Sequence, residues 1–401
     1  MSFMNKEISQ DESSTDIFTT LTDKRGTITY VNPGFCQISG YSASELIGKP
    51  HSIIRNDNMP KCLFRLFWEK LKANKPVCIY ILNRTKNGDD VWLLTLVVPS
   101  VDGFISMRVS ADAEKLSEIS TLYHELTELE KNEPVSEVAD KFLCKIAEMG
   151  HQDLDSYSQS LLEDQILRRP IKDDLVVSSR LPGLKELSVL IEGLNDTATE
   201  LSTGFKHIRS EPVNMRILSN RLDSSGASIS MISQNYDMMA REMCSSLDRL
   251  CTDETNSLKH LRELSNKGYF SVLSSVLIGA TQRGFSKSDT DPVKEEWSNL
   301  GQDQINHLMR SNEKQVKDDI SDIVRASNGL PDISRQLRRR INGLDVVKLL
   351  CRVENCRIGS RDSGLTGIIE RLETFHCDAD GMLSELSKKA IQISQRARSL
   401  L

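Results

Sequence analysis

Residues 26–50, "GTITYVNPGFCQISGYSASELIGKP", decide the fold of the first part of the chain. A β-like run, "TITYV", precedes two segments of helical character, and Ser42 lies three residues before Glu45, the spacing of a capping box. A second β-like run, "IFTTLTD", lies upstream across the turn at residues 24–26. Downstream, Asn-Gly and Asp-Gly turns separate three further runs, "VCIYILNRT", "VWLLTLVVP" and "FISMRVS". This order predicts an α+β domain in which short helices flank an antiparallel sheet.

The overlapping stretch at residues 48–68, "GKPHSIIRNDNMPKCLFRLFW", joins a polar loop to a helix rich in aromatic residues. This combination suits a pocket for a flat ligand with a polar edge. Trp68 is suited to stack on a ligand face, and Arg55 to fork onto a carbonyl or phosphate oxygen. The amides of Asn56 and Asn58 are suited to pair with the ligand edge. The alternative is that Trp68 fills the core and Arg55 lies on the surface.

With "NRTKNGDDVWLLTLVVP", these motifs make residues 16–110 resemble a PAS domain. The segment "PHSIIRNDNMP" followed by Trp68 is most similar to the sensor of bacterial aerotaxis receptors, which bind FAD non-covalently. The resemblance implies a flavin site in which Arg55, Trp68 and Asn32 match the pattern. Asn56 stands where that group has histidine, and Asn58 where it has aspartate. The resemblance therefore implies FAD as the cofactor, with no cofactor or haem as alternatives.

Other PAS cofactors fit the sequence less well. A light-sensing flavin domain carries an adduct-forming cysteine in an Asn-Cys-Arg string, and "SIIRNDN" has none. Haem needs an axial ligand. His51 is the only histidine of the module, and its position beside Pro50 at a helix start favours a structural cap.

The composition of the chain narrows its class. The 401 residues carry a net charge of −6, which gives no indication of nucleic-acid binding. Nine cysteines without a CxxC pair indicate reduced thiols, with neither a disulfide framework nor a zinc site. The polar, acidic start and the short apolar runs predict a cytoplasmic protein without a membrane span. Neither a P-loop nor a kinase nucleotide-binding box is present, so we expect no enzyme activity.

Helical patterns dominate after Ser110. Leu116, Ile119, Tyr123 and Leu126 follow a 3, 4, 3 spacing, which predicts a coiled-coil seam and a homodimer. We divide the chain into a disordered tail at 1–14, a PAS sensor at 15–111, a signalling helix at 112–131, a helical hairpin or bundle at 132–282, a linker at 283–294 and a second helical region at 295–401. The predicted fold is thus a PAS domain followed by a mainly helical bundle or coiled coil.

Residues 213–240 resemble the hairpin tip of methyl-accepting chemotaxis receptors, on four matching positions: Asn214, Arg221, Gly226 and Ala240. We predict an antiparallel hairpin that turns at residues 223–226, although Leu218 replaces a glutamate of that pattern. The rival interpretation is an ordinary helical hairpin with a Ser-Gly turn. Residues 341–375 show a similar order of a helical segment, a polar turn containing glycine and a second helical segment, which indicates a duplicated hairpin.

These observations predict a signal-transduction protein of the aerotaxis-receptor type. A PAS sensor of redox state or oxygen would pass its state to a helical output, with chemotaxis signalling proteins as candidate partners. Two rival interpretations remain open. One is a PAS scaffold that binds no cofactor and only dimerises, and the other is a haem-based gas sensor.

Overall fold

The computed structural model describes residues 17–168, 175–220, 226–252, 258–285, 292–358 and 364–401. These residues fall into two compact units, with divisions between residues 179 and 180, 269 and 270, and 315 and 316. The tail predicted at 1–14 lies outside the described residues. The units do not coincide with the helical regions predicted at 132–282 and 295–401, whose boundaries stay predictions.

The first unit contains a five-stranded antiparallel sheet with the order β2-β1-β5-β4-β3. Its strands are β1 (Phe18–Asp23), β2 (Ile28–Val31), β3 (Val77–Arg84), β4 (Asp90–Pro99) and β5 (Gly103–Ser110). The β1–β2 turn closes because the Asp23 carboxylate accepts the N–H groups of Arg25 and Thr27 at 2.8 and 2.9 Å. Gly26 supplies the positive φ, 85°, that this turn requires. The predicted α+β fold with its antiparallel sheet is confirmed.

Short helices cover one face of the sheet. They are α1 (Pro33–Ser39), α2 (Ala43–Leu46), a 3₁₀ turn (His51–Ile54) and α3 (Lys61–Lys72). Phe18 and Leu93 of the sheet pack there with Phe35, Leu46 and Ile54. Because side chains alternate along a strand, Thr20, Thr95, Ser106 and Arg108 share this face, which we call the inner face.

The opposite, outer face is covered by α4 (Ala113–Leu129) and α6 (Leu154–Arg168), with α5 (Val135–Glu148) beside α3. The Tyr123 hydroxyl donates to the Tyr80 carbonyl at 2.9 Å, and its ring lies 5.6 Å from that of Trp92. Ile119 and Leu126 are also buried. The predicted seam therefore packs inside the chain, and the expectation that it faces a second copy is wrong.

Among the described residues, helices α7 to α13 follow, and parts of them form the second unit. They are α7 (Leu175–Ile208), α8 (Ser210–Ser219), α9 (Gly226–Thr252), α10 (Leu258–Phe285), α11 (Pro292–Ser327), α12 (Leu330–Ile358) and α13 (Leu365–Ser399). The predicted linker at 283–294 overlaps the ends of α10 and α11, and residues 286–291 of it lie outside the described residues.

Two antiparallel helix pairs, α8–α9 and α12–α13, pack together in the second unit. Arg371 makes a bidentate ion pair with Glu211 at 2.8 Å, and the Tyr236 hydroxyl lies 2.9 Å from His376 Nε2. Both turn ends lie at the same end of the bundle, because Gly364 is close to Leu218. This agrees with the predicted duplication, although the turns at 221–225 and 359–363 lie outside the described residues.

Candidate functional site

The predicted ligand loop, residues 55–60, is held by its own polar groups. Asn56 is fully buried, and its amide nitrogen donates to the Asp90 carboxylate at 2.5 Å. Its amide oxygen accepts the Asn58 backbone N–H at 2.9 Å, and Arg84 lies 3.5 Å away. A buried amide with both ends engaged fixes the loop against the β3–β4 hairpin. Asn56 is thus placed as an anchor of the loop, while the side chain of Asn58 is exposed.

Arg55 precedes α3 in the chain, and Trp68 lies within it. The Arg55 side chain is exposed, and its guanidinium lies 3.8 Å from the centre of the Phe64 ring, a cation–π contact. Trp68 is half-buried and makes an edge contact with Phe104 at 5.5 Å. Gly26 lies beside the indole, since a Cβ there would be in van der Waals contact with it at 3.4 Å. Trp68 thus borders the end of the inner face, and Arg55 reaches a ligand there only by leaving Phe64.

Asn32 has a structural role in the described fold. Its amide oxygen accepts the N–H groups of Thr19 and Phe35 at 2.9 and 3.0 Å, which caps α1. Its amide nitrogen donates to the Ile17 carbonyl at 2.7 Å. One amide hydrogen remains for a ligand.

The structure reveals a polar cluster on the inner face, formed by the buried Arg108 and Thr20 and the half-buried His51. Arg108 is 3% exposed, yet its guanidinium pairs with no carboxylate among the described residues. It donates to the Thr20 hydroxyl at 3.0 Å and to His51 Nε2 at 2.7 Å, and it lies 5.0 Å from the Phe35 ring centre. Buried guanidinium groups ordinarily have an acidic partner, so this cluster is the most unusual feature of the domain.

Burial determines the charge states of this cluster. It lowers the pKa of Arg108 from 12.5 to about 9, so the guanidinium stays charged at neutral pH. Burial, assisted by the adjacent Arg108 charge, lowers the pKa of His51 from 6.5 to about 3. A neutral imidazole has one free nitrogen lone pair, and here Nε2 uses it to accept from Arg108. The sequence favoured His51 as a structural cap of the 3₁₀ turn, and this expectation is wrong. Pro50 is the capping residue, and the imidazole instead holds Arg108.

The inner face is polar well beyond these three residues. Thr95 is 0% and Ser106 is 5% exposed, and both share the face with Arg108. A sheet face of small hydroxyl side chains around one buried cation suits a ligand that is flat and carries acceptors on its edge. Alternation in "FISMRVS" was the signal for Arg108, because it places a basic residue on the same face as Phe104 and Ser106. Arg108 is absent from the site residues expected from sequence.

Among the described residues, no group of three or more His, Cys, Asp or Glu side chains is arranged to hold a metal ion. Within the same residues, none of the helices combines the length and apolar character that crossing a bilayer requires.

Comparison with known proteins identifies the first domain. The family described as "PAS domain" matches residues 15–108. The aerotaxis receptor of Escherichia coli (strain K12) is 38% identical over 110 residues, which cover 26% of this chain and 22% of the receptor.

Other relatives are a nitrogen fixation regulatory protein and a histidine kinase, each matched over part of its length. The nitrogen fixation regulatory protein of Klebsiella pneumoniae is 31% identical over 68 residues, 17% of this chain and 14% of that protein. A blue-light-activated histidine kinase of Brucella canis is 25% identical over 137 residues, 33% of this chain and 28% of the kinase. A solved fungal LOV-domain photoreceptor is 24% identical, with a TM-score of 0.22, over 27% of this chain and 83% of that one. The chain thus spans less than a third of each curated relative described here. Its N-terminal region is a PAS domain that resembles the sensor of aerotaxis receptors.

Proposed function

We propose that this chain is a redox or oxygen sensor, in which the PAS domain binds FAD non-covalently and passes its state to the helical region. The observation that carries the proposal is the buried Arg108 guanidinium on the inner face, without a carboxylate among the described residues. An unpaired buried charge destabilises a protein unless a ligand uses it. Such a cost is typical of a functional site.

The residues of the inner face fit the chemistry of a flavin. An isoalloxazine has apolar faces and hydrogen-bond acceptors along one edge, and Arg108 supplies several donors in a plane. Thr20, beside Arg108, adds a hydroxyl, and His51 keeps the guanidinium in position. Trp68 would close one end of the site by packing on an apolar face. A bound FAD would supply a redox centre whose charge and hydrogen bonding change with its oxidation state.

Haem fits these residues less well than flavin. The one candidate axial ligand, His51, has its Nε2 atom 2.7 Å from the Arg108 guanidinium. An iron at Nε2 would have to displace a buried cation, and it would leave that cation without an acceptor. A light-sensing adduct is also disfavoured, since the loop sequence "SIIRNDN" lacks the Asn-Cys-Arg string that carries the adduct-forming cysteine.

We further propose a non-enzymatic output. The chain would act in the cytoplasm as a homodimer, and the helix pairs α8–α9 and α12–α13 would bind chemotaxis signalling proteins. The support is the similarity of the sensor to aerotaxis receptors and the two helix pairs with their turn ends together. The competing function is a scaffold whose PAS domain binds nothing, but this leaves the buried Arg108 without a purpose.

The absorption spectrum of the purified full chain, before and after incubation with FAD and removal of free flavin, tests the proposal. We expect flavin absorption bands near about 370 and 450 nm. A band near about 400 nm would instead indicate haem, the rival cofactor. Trp68→Ala should lose the flavin, whereas the control Trp92→Ala, on the outer face, should retain it. A spectrum without flavin after incubation, or full retention by Trp68→Ala, contradicts the proposal.

A further inference from the structure

The C-terminal end of α4 is bound to the predicted ligand loop. Glu130, which follows α4, accepts the backbone N–H groups of Lys61 and Cys62 through its two carboxylate oxygens, at 2.9 and 2.6 Å. The Thr127 hydroxyl lies 3.2 Å from the Asn58 carbonyl and 2.8 Å from the Tyr123 carbonyl. Glu130 and Thr127 thus join the C-terminal end of α4 to residues 58–62, the segment that leads into α3. We call these contacts the α4 latch.

Glu130 supplies what the start of α3 lacks. The first N–H groups of a helix need acceptors, and a side chain at the capping position usually provides one. Here the capping residue is Pro60, which makes no side-chain hydrogen bond. A carboxylate from about seventy residues along the chain takes that role, and a negative charge at this helix end is electrostatically favourable. The position of the loop and the position of α4 are therefore linked.

Arg55 connects this contact to the ligand. Partial burial lowers the pKa of Arg55, and the carboxylates of Glu130 and Asp57 oppose that shift, so Glu130 interacts electrostatically with Arg55. In the described arrangement the guanidinium lies on Phe64. A ligand on the inner face that binds Arg55 would pull the guanidinium, and the loop that carries it, away from Glu130.

We propose that ligand binding opens the α4 latch, so that the end of α4 is held by Glu130 and Thr127 in the free protein and released in the loaded one. This inference rests on the proposed flavin function and adds the route by which the signal leaves the domain. Coupling of this kind is reciprocal, so a variant without the latch binds the ligand more tightly. A merely structural cap would stabilise α3 equally in both states and would not alter ligand affinity.

Hydrogen exchange of the full chain, read by mass spectrometry with and without FAD, tests the inference. In the wild type, FAD should speed exchange of the amides at residues 127–133 by about fivefold, the effect of about 1 kcal/mol of coupling. A Glu130→Gln/Thr127→Val variant should exchange fast there in both states and bind FAD about fivefold more tightly. Glu128→Gln is the matched control, since Glu128 lies at the same helix end and its carboxylate pairs only with Lys131 at the surface.

The outcomes separate the two proposals. FAD binding without any change, or with slower exchange, at residues 127–133 overturns the latch and leaves the flavin function intact. An unchanged FAD affinity of the double variant also overturns the latch. Absence of flavin binding in the wild type overturns both. If the double variant loses the protection of β5 that marks a folded domain, each single variant provides the same comparison.

Discussion

Replacement of Arg108 by methionine is expected to stabilise the ligand-free protein while it removes flavin binding. Arg108 is 3% exposed, and burial lowers its pKa from 12.5 to about 9. The unfolded chain therefore binds this proton more tightly, and the penalty is complete below about pH 9 and declines as the pH rises toward 12.5. At 1.36 kcal/mol per pKa unit, the charge destabilises the folded state at pH 7 by roughly 5 kcal/mol.

Methionine is unbranched, flexible and uncharged, so it removes this penalty and fills the space of the arginine stem, although not that of the guanidinium. This gain is reduced by the loss of the hydrogen bonds to Thr20 and His51, which together contribute at least about 3 kcal/mol. The expected net result is a rise of up to about 2 kcal/mol in the free energy of unfolding. Flavin affinity should fall about 10- to 100-fold, because a hydrogen bond from a charged donor contributes about 1.5–3 kcal/mol.

Urea denaturation of the full chain, followed by tryptophan fluorescence, measures the stability part. The chain has three tryptophans, so in a Trp297→Phe background the signal comes from Trp68 and Trp92 of the PAS domain. Arg65→Met is the control, because its pair with Glu69 is exposed and should contribute under about 1 kcal/mol. A ligand-free Arg108→Met protein destabilised by more than about 2 kcal/mol would refute the reasoning and make Arg108 a structural anchor.

Three further predictions concern the loop, the cluster and the assembly. Asn56→Ala should lower the free energy of unfolding by about 1–3 kcal/mol in the same urea assay, and Asn58→Ala by under about 0.5 kcal/mol; equal losses would contradict the anchoring role of Asn56. Because the pKa of His51 is depressed to about 3, its neutral form stabilises the fold above pH 6.5, and acidification from 6.5 toward 3 removes that stability by up to about 1.4 kcal/mol per pH unit. His51→Gln should therefore show a shallower loss than the wild type over this range, and parallel curves would exclude a buried neutral imidazole. Light scattering should give the mass of a dimer for the full chain and of a monomer for Leu349→Glu/Val353→Glu, whereas a monomeric wild type at micromolar concentration would end the dimer prediction.

The sheet could be predicted from sequence because its information is local. Continuous runs of apolar and β-branched residues, bounded by turns such as Asn87-Gly88, define β3 and β4 without knowledge of the rest of the chain. Gly88 adopts a φ of 90°, which the turn needs and which few other residues tolerate. The strands observed differ from the predicted runs by one or two residues.

The buried cluster could not be predicted in the same way. The contact between Arg108 and Thr20 spans 88 positions of sequence and exists only because β5 pairs with β1 in one register. His51 joins them from a 3₁₀ turn whose orientation no local pattern specifies. The loop residues of the resemblance were visible in sequence, but Asn56 proved to be hydrogen-bonded to Asp90, a partner that only the fold provides.

The same distinction explains the helix seam and limits where a dimer contact can lie. A 3, 4, 3 stripe shows that one face of a helix is buried, but it does not show against what. In α4 the stripe packs on the outer face of the chain's own sheet. In the second unit two helix pairs pack on each other, so the apolar side chains between them are also covered within one chain.

On α12 a second stripe of apolar side chains stays exposed. Its members follow i, i+3, i+4, i+7 spacing and are 46–59% exposed: Val346, Leu349, Leu350 and Val353. Its apolar area is on the order of 400 Å², near the largest patch that a monomer usually shows. A second copy packed there would bury about half of the roughly 800 Å² that each partner contributes to a standard interface, so flanking polar contacts would have to complete it. This arithmetic predicts a dimer that dissociates on dilution, and a dimer that stays intact at nanomolar concentration would place the interface elsewhere.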